Sequence, residues 1–170
     1  DLDGAWRAVS ESGEGLPLDE LVEFIDIGGP TMIRSAAKNH AHVAVVSDPA
    51  DYISLMEEWD SGGALSPATL QRLAGKVFAL TGAYDSAVAA SLLGESEAPQ
   101  WLSSSYKKEM DLRYGENPHQ KAAWYTPSSS AAYGALSDFD QHQGKELSFN
   151  NLRDLDGAWR AVSESGEGLP

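Results

Sequence analysis

Apolar positions recur at helical spacing through most of the first hundred residues and give way to short extended runs after them. Residues 18–24 (LDELVEF) have helical spacing and lead into 25–27, where Ile25 and Ile27 flank Asp26 in an alternating, strand-like segment that turns Asp26 away from the buried isoleucine face. Gly28 and Gly29 allow a tight turn, and Pro30 suits the first turn of a helix. In that helix Met32, Ile33, Ala36, Ala37 and His40 make one inward stripe, while Arg34 and Lys38 lie four apart on a shared face. The apolar run 43–46 (VAVV) predicts a buried strand, and Asp48-Pro49 a cap and the start of a helix through Trp59. After a glycine-containing loop at 60–64, Ser66-Pro67 opens a helix with Leu70, Leu73, Ala74, Val77 and Phe78 on its core face, ending near Thr81-Gly82. Residues 84–93 form a separate helical piece with Val88 and Leu92 inward, stopped by Gly94. The order strand, helix, strand, helix predicts the α/β class.

Residues 95–105, with Glu, Pro and four serines, have the composition of a linker and mark a domain boundary. Beyond it, LRYGENPHQKAAWY (112–125) predicts extended segment, turn, extended segment, followed by a serine-rich loop over 126–132. Residues 147–149 suggest a short strand. Asn150 or Asn151 then caps a last helix with Leu155, Ala158, Trp159 and Val162 inward, and this helix has little to pack against. The region from 106 onward is short for an independent domain.

Composition narrows the function. The 170 residues are 42% hydrophobic and carry a formal charge of −14, with a pI near 4.5. Such an acidic balance argues against nucleic acid, whose phosphates demand clustered cations. The absence of cysteine rules out a disulfide framework or a thiolate metal site and fits a reducing compartment. No apolar run is long enough to span a bilayer and no signal-peptide pattern opens the chain, so a cytoplasmic location is expected.

Against this acidic background residues 28–46 contain no Asp or Glu. A helix N-terminus, Arg34 and Lys38 therefore make a positive island suited to an anionic small molecule. On spacing alone, a carboxylate and a lysine twelve residues apart also fit an ordinary surface helix, and Arg34 fits a surface salt bridge. His40 and His42 suit packing or hydrogen bonding better than zinc, for want of identifiable further ligands, so no metal site is expected. His119, after Asn-Pro, fits a turn residue bonded to backbone better than an acid or base. The charges of 107–121 nearly balance and fit a solvated surface, and Gly28-Gly29 is not a dinucleotide fingerprint.

The run IDIGGPTMIRSAAKNHAHVAVVSDPADY (25–52), followed by LRYGENPHQKAAWY and GKELSFNNLRDLDGAW (144–159), closely resembles the bifunctional purine biosynthesis family that combines AICAR transformylase with IMP cyclohydrolase. The resemblance runs from about residue 18 to 162 and keeps the order of the motifs. It implies an α/β fold in two parts. Residues 18–94 would be the C-terminal half of a methylglyoxal-synthase-like cyclohydrolase domain, 95–105 a linker, and 106–170 the start of a cytidine-deaminase-like transformylase domain. It also implies formylation of AICAR by 10-formyltetrahydrofolate, ring closure of formyl-AICAR to IMP without a cofactor, and a homodimer. Asp26 and Lys38 match the family's catalytic pair. Asp26 would polarise or deprotonate the attacking carboxamide and Lys38 stabilise the developing oxyanion, with the division of roles open. Arg113 and Tyr114 match the family's nucleotide-binding Arg-Tyr-Gly motif; the guanidinium suits a phosphate and the phenol can stack or hydrogen-bond.

The chain departs from the family in what it lacks. The Tyr-Pro-Phe strand, the early Lys and Arg motif and the phosphate-binding turn of the cyclohydrolase have no counterpart, nor has the transformylase's Lys-His pair. An internal fragment without activity of its own is therefore expected. A nucleotide-binding or scaffold remnant without chemistry is the alternative. The first 17 residues, DLDGAWRAVSESGEGLP, recur unchanged as 154–170. One identical pair is not a stacked repeat. The copy at 154 stands in its family context and the copy at 1 does not. The first copy, 1–17, is thus expected to be misplaced by a joining event, loosely docked and without function.

Overall fold

The computed structural model describes residues 17–94, 97–128 and 139–164. The duplicated segment 1–16, most of the serine-rich loop and the chain end fall outside the described residues, and with them the expectations for the first copy. The chain divides into two compact units between Ser104 and Ser105.

In the first unit α1 (Leu18–Glu23) and α2 (Gly28–Lys38) precede a 3-10 turn (Pro49–Asp51), α3 (Tyr52–Gly62) and α4 (Pro67–Leu93). The caps form where side-chain chemistry requires them. Asp48 accepts from the Ala50 amide at 2.9 Å, with Pro49 opening the turn, and Ser66 accepts from the Thr69 amide ahead of Pro67. Gly63, at φ 66°, ends α3 in the left-handed conformation that glycine adopts without steric cost. The core lies between α2 and α4, where Ala37, Ala74, Val77 and Val45 pack with Ile33 and Ala36, and α1 adds Leu21 against Ala87 and Val88.

Several expectations change here. The two helices expected over 67–82 and 84–93 are one helix of 27 residues. Thr81, Tyr84 and Ala87 continue the buried stripe of Leu73, Ala74 and Val77 across Gly82, so packing outweighs the modest helical cost of one glycine. Phe78 lies at the edge of this stripe and is exposed. Met32 falls outside the α2 stripe and is also exposed. Residues 25–27 and 43–46 carry no regular secondary structure and pair with no strand among the described residues, and Ile27 already has helical backbone angles, φ −104° and ψ −44°. Strand formation requires a partner for every backbone N–H and C=O, and the neighbours here are helices. Val45 is buried as a single anchor, while Ile27 is 70% exposed, so no isoleucine face forms.

The second unit holds the sheet: β1 (Tyr106–Leu112) and β2 (Ala122–Pro127) pair antiparallel, with a bulge between Lys108 and Met110, and α5 (Phe149–Glu164) follows. The expected extended–turn–extended pattern is present. Residues 147–149 form no strand of their own, yet their backbone is tied to the turn: the Arg113 amide donates to the Leu147 carbonyl at 2.8 Å and the Phe149 amide to the Tyr114 carbonyl at 3.1 Å. Ser148, rather than Asn150 or Asn151, caps α5. Its hydroxyl accepts from the Asn151 amide while Asn151 Oδ1 accepts from the Ser148 amide at 3.0 Å, a reciprocal capping box. The face of α5 that turns inward is that of Leu152, 3% exposed; Leu155, Trp159 and Val162, expected inward, are exposed. The molecule as a whole mixes helix with a small sheet, consistent with the α/β class.

Candidate functional site

Asp26 stands at the break between α1 and α2, half-buried. Its carboxylate turns back onto the helix that follows, and Oδ1 accepts from the Gly29 amide at 3.0 Å. A Cβ on Gly29 would lie 2.5 Å from Asp26 Oδ2, whereas one on Gly28 would meet nothing within 4 Å. The second glycine is therefore required by the carboxylate's approach. Neither glycine has a positive φ, so the expected tight turn is not the reason for the pair. The Asp26 amide in turn donates to the hydroxyl of Tyr84, deep in α4, at 2.8 Å.

The positive island is organised differently from the expectation. The N-terminus of α2 is occupied by the chain's own Asp26 carboxylate. Arg34 is directed onto α4, where Nη1 donates to Thr81 Oγ1 at 3.2 Å, lies 3.6 Å from Asp85 Oδ2, and the guanidinium covers the Phe78 ring at 5.4 Å. Arg34 thus fastens α2 to α4. Lys38, the last residue of α2, is exposed and has no ion-pair partner among the described residues. At 1.5 Å of rise per residue, α2 separates Lys38 from the Asp26 end by about 15 Å. The structure does not bring the expected pair into contact; a ligand meeting both would have to lie along the helix between them.

The second cluster surrounds the β1–β2 turn. Arg113 is exposed and Tyr114 half-buried. The Arg113 guanidinium lies over the Tyr114 ring at 4.9 Å, and Nη2 donates to the phenol oxygen at 3.3 Å. Hydrogen bonding to Ser148, then to Arg113, holds the Tyr114 phenol below the ordinary tyrosine range. The turn itself is closed by the Gly115 amide on the Gln120 carbonyl at 2.9 Å and by Gln120 Oε1 on the Asn117 amide at 2.7 Å. His119 is exposed in this turn, and its imidazole makes no hydrogen bond among the described residues. His40 and His42 lie in the turn after α2, half-buried and exposed.

Sequence reasoning missed one polar cluster. Lys76 Nζ reaches Asp48 Oδ2 at 2.5 Å and Asp51 Oδ2 at 2.6 Å, and Arg72 Nη1 reaches Asp51 Oδ1 at 2.6 Å. The bond to Lys76 is the largest cause that holds each aspartate carboxyl below the ordinary carboxylate range. Burial pulls the ammonium down, but the two carboxylates more than offset it and raise Lys76. Every member is paired, so the cluster clamps the 3-10 turn to α4. Its signal was the i, i+4 placement of Arg72 and Lys76, which does not reveal the partners. The grooves among the described residues include one of 630 Å³ beside the end of α4 and one of 740 Å³ between the hairpin and α5. Neither is lined by Asp26, Lys38, Arg113 or Tyr114.

A family model described as AICARFT/IMPCHase bienzyme matches residues 36–168. The bifunctional purine biosynthesis protein PurH of Fusobacterium nucleatum is 53% identical over 154 residues, and those of Clostridium botulinum strain Kyoto and Clostridium kluyveri are 52% and 53% identical over the same length. Each alignment covers 91% of this chain, and the chain spans 30% of the length of these relatives. With a match over most of its residues, the chain belongs to the AICARFT/IMPCHase bienzyme family.

Proposed function

We propose that this chain is a segment of a bifunctional enzyme of purine biosynthesis, which formylates AICAR with 10-formyltetrahydrofolate and closes formyl-AICAR to IMP. The observation that carries this reading is the relationship itself, 51–53% identity across 91% of the chain to proteins named for that role. In this proposal residues 18–94 belong to a methylglyoxal-synthase-like ring-closing domain and 106–170 to the beginning of a cytidine-deaminase-like formyl-transferring domain, joined by the linker 95–105. The complete polypeptide works in the cytoplasm as a homodimer. Among the described residues no helix is long and apolar enough to cross a membrane.

Ring closure requires a base or hydrogen-bond acceptor at the attacking carboxamide nitrogen and positive charge near the oxygen that leaves as water. Asp26 supplies the first. Its Oδ1 is fixed by the Gly29 amide, and the carboxylate is only half-buried, within reach of a ligand. Lys38 supplies the second, with an exposed ammonium at the far end of α2 that has no ion-pair partner among the described residues. Arg113 and Tyr114 bind the nucleotide in the formyl-transfer half. The Arg113 side chain is exposed, and its neighbour's lowered phenol is a stronger hydrogen-bond donor.

One observation favours a second reading, a nucleotide-binding remnant without chemistry: the length of α2 stands between Asp26 and Lys38. The experiment that decides is steady-state ring closure of formyl-AICAR by the complete bifunctional polypeptide. Asp26→Asn and Lys38→Ala should each lower the rate by about 100-fold or more, the scale of one lost electrostatic partner in a preorganised site. Wild-type turnover by both variants would remove the assignment. The chain by itself is expected to close formyl-AICAR no faster than buffer, because a partial site forfeits most of that stabilisation.

A further inference from the structure

Tyr84 is the largest side chain buried at this level among the described residues, 2% exposed, and its hydroxyl accepts from an amide 58 residues away. That amide belongs to Asp26. At the break between α1 and α2 the backbone leaves the helical pattern, so the Asp26 N–H has no carbonyl one turn back to receive it. The phenol takes that place. It does so from a rigid base: Tyr84 lies one turn beyond Thr81 and two beyond Val77 on the buried stripe of α4, and Thr81 receives Arg34 from α2. One stretch of α4 therefore holds both the residue that carries the candidate carboxylate and the helix that follows it.

The carboxylate is gripped at its other end as well, since Oδ1 takes the Gly29 amide and Oδ2 rests 2.5 Å from where a Cβ of residue 29 would be. Tyr84 fixes where the Asp26 backbone sits, and Gly29 fixes which way the carboxylate points. We propose that Tyr84 is a positioning residue for ring closure, acting through Asp26 and touching no substrate atom. The inference rests on Asp26 being the ring-closing carboxylate. A displacement of the Asp26 backbone by about 1 Å would be enough to lower the rate up to 100-fold while substrate binding, made elsewhere, is retained.

Tyr84→Phe keeps the ring that fills the core and deletes the acceptor. In the complete bifunctional polypeptide, the variant is expected to lose about 10- to 100-fold in kcat for ring closure with KM changed less than twofold. Amide exchange at Asp26 should accelerate about tenfold or more, while the Val77 amide in α4 keeps its wild-type protection. Unchanged kcat in Tyr84→Phe, alongside an inactive Asp26→Asn, would overturn the positioning role and leave the catalytic assignment standing. Full activity in Asp26→Asn would instead remove both. Exchange that rises equally at Asp26 and Val77 would show that the hydroxyl serves the fold, and would also overturn the proposal. Should Tyr84→Phe not fold, the wild-type protein still decides. An Asp26 amide that exchanges as fast as an unprotected one excludes the bond, whereas a protected one, in a segment without helical bonding, upholds it.

Discussion

Asp26 in the first unit is held by a phenol from the centre of a helical core, whereas Arg113 and Tyr114 in the second are held by backbone bonds to residues 147–149 and by each other. The first unit can afford such a grip because Leu73, Val77, Thr81 and Tyr84 are all within 2% of complete burial along one face of α4. The second unit buries Leu112, Ser148 and Leu152, and leaves Phe149, Leu155, Trp159 and Val162 exposed. A two-stranded sheet with one helix has one face to cover and little to cover it with. Its candidate residues are therefore placed by main-chain hydrogen bonds, which fix position locally without needing a deep core. Substitutions should accordingly act through packing in the first unit and through caps and turns in the second.

The largest effect is expected from Leu73→Ala, which should cost the first unit about 2 to 4 kcal/mol. Urea unfolding followed by amide signals of both units should show the hairpin amides of 106–127 unchanged. If both units lose stability together, their separation as folding entities fails. Next, Lys76→Met should cost about 1 to 2 kcal/mol, a figure kept low because the clamp is partly open to solvent. The pH dependence tests its origin. Asp48 and Asp51 are lowered in the folded protein, so their contribution is present above the ordinary aspartate value and lost as pH falls below about 4. Lys76 is raised, so its contribution is complete at neutral pH and lost only as strongly alkaline pH deprotonates it. The difference between wild type and Lys76→Met should therefore shrink at both extremes; a difference flat with pH would deny the clamp.

In the second unit Ser148→Ala should cost about 1 kcal/mol through the lost α5 cap. The same change should raise the Tyr114 phenol toward the ordinary tyrosine range, because Ser148 is the largest cause of its lowering. An ultraviolet titration reads this directly, and an unchanged phenol would mean that Ser148 and Tyr114 do not communicate. The smallest effect belongs to Thr126→Val, which removes the exposed bond to Glu109 at 2.7 Å on the hairpin surface. It should stay within about 0.5 kcal/mol. A larger loss would show that the hairpin depends on side-chain bonds after all.

The starts of the helices were legible residue by residue, because Asp48-Pro49 and Ser66-Pro67 carry their caps with them. The hairpin was legible for a similar reason, since a Gly- and Asn-Pro-containing turn between extended runs leaves few alternatives. Less legible were the features that depend on distant partners. A pause at Thr81-Gly82 suggested two helices, but the unbroken stripe from Leu73 to Ala87 is one surface and favours one helix. VAVV had the composition of a strand and no neighbour to pair with. Arg34 and Lys38 stand alike in the sequence, yet Phe78, Thr81 and Asp85 engage Arg34, while Lys38 has no ion-pair partner among the described residues.

The sequence by itself determined the family, the order of its motifs and most helix starts, and through the resemblance it named Asp26, Lys38, Arg113 and Tyr114 as candidates, because motifs and caps are contiguous runs of residues. Tertiary structure alone decided that Gly29 is required and Gly28 is not, that Tyr84 holds the Asp26 amide, and that α2 keeps Asp26 and Lys38 at opposite ends. The physical reason is range. Caps and turns are closed by atoms a few residues apart, whereas a hydrogen bond between residues 26 and 84 exists only after the helices that carry them have packed.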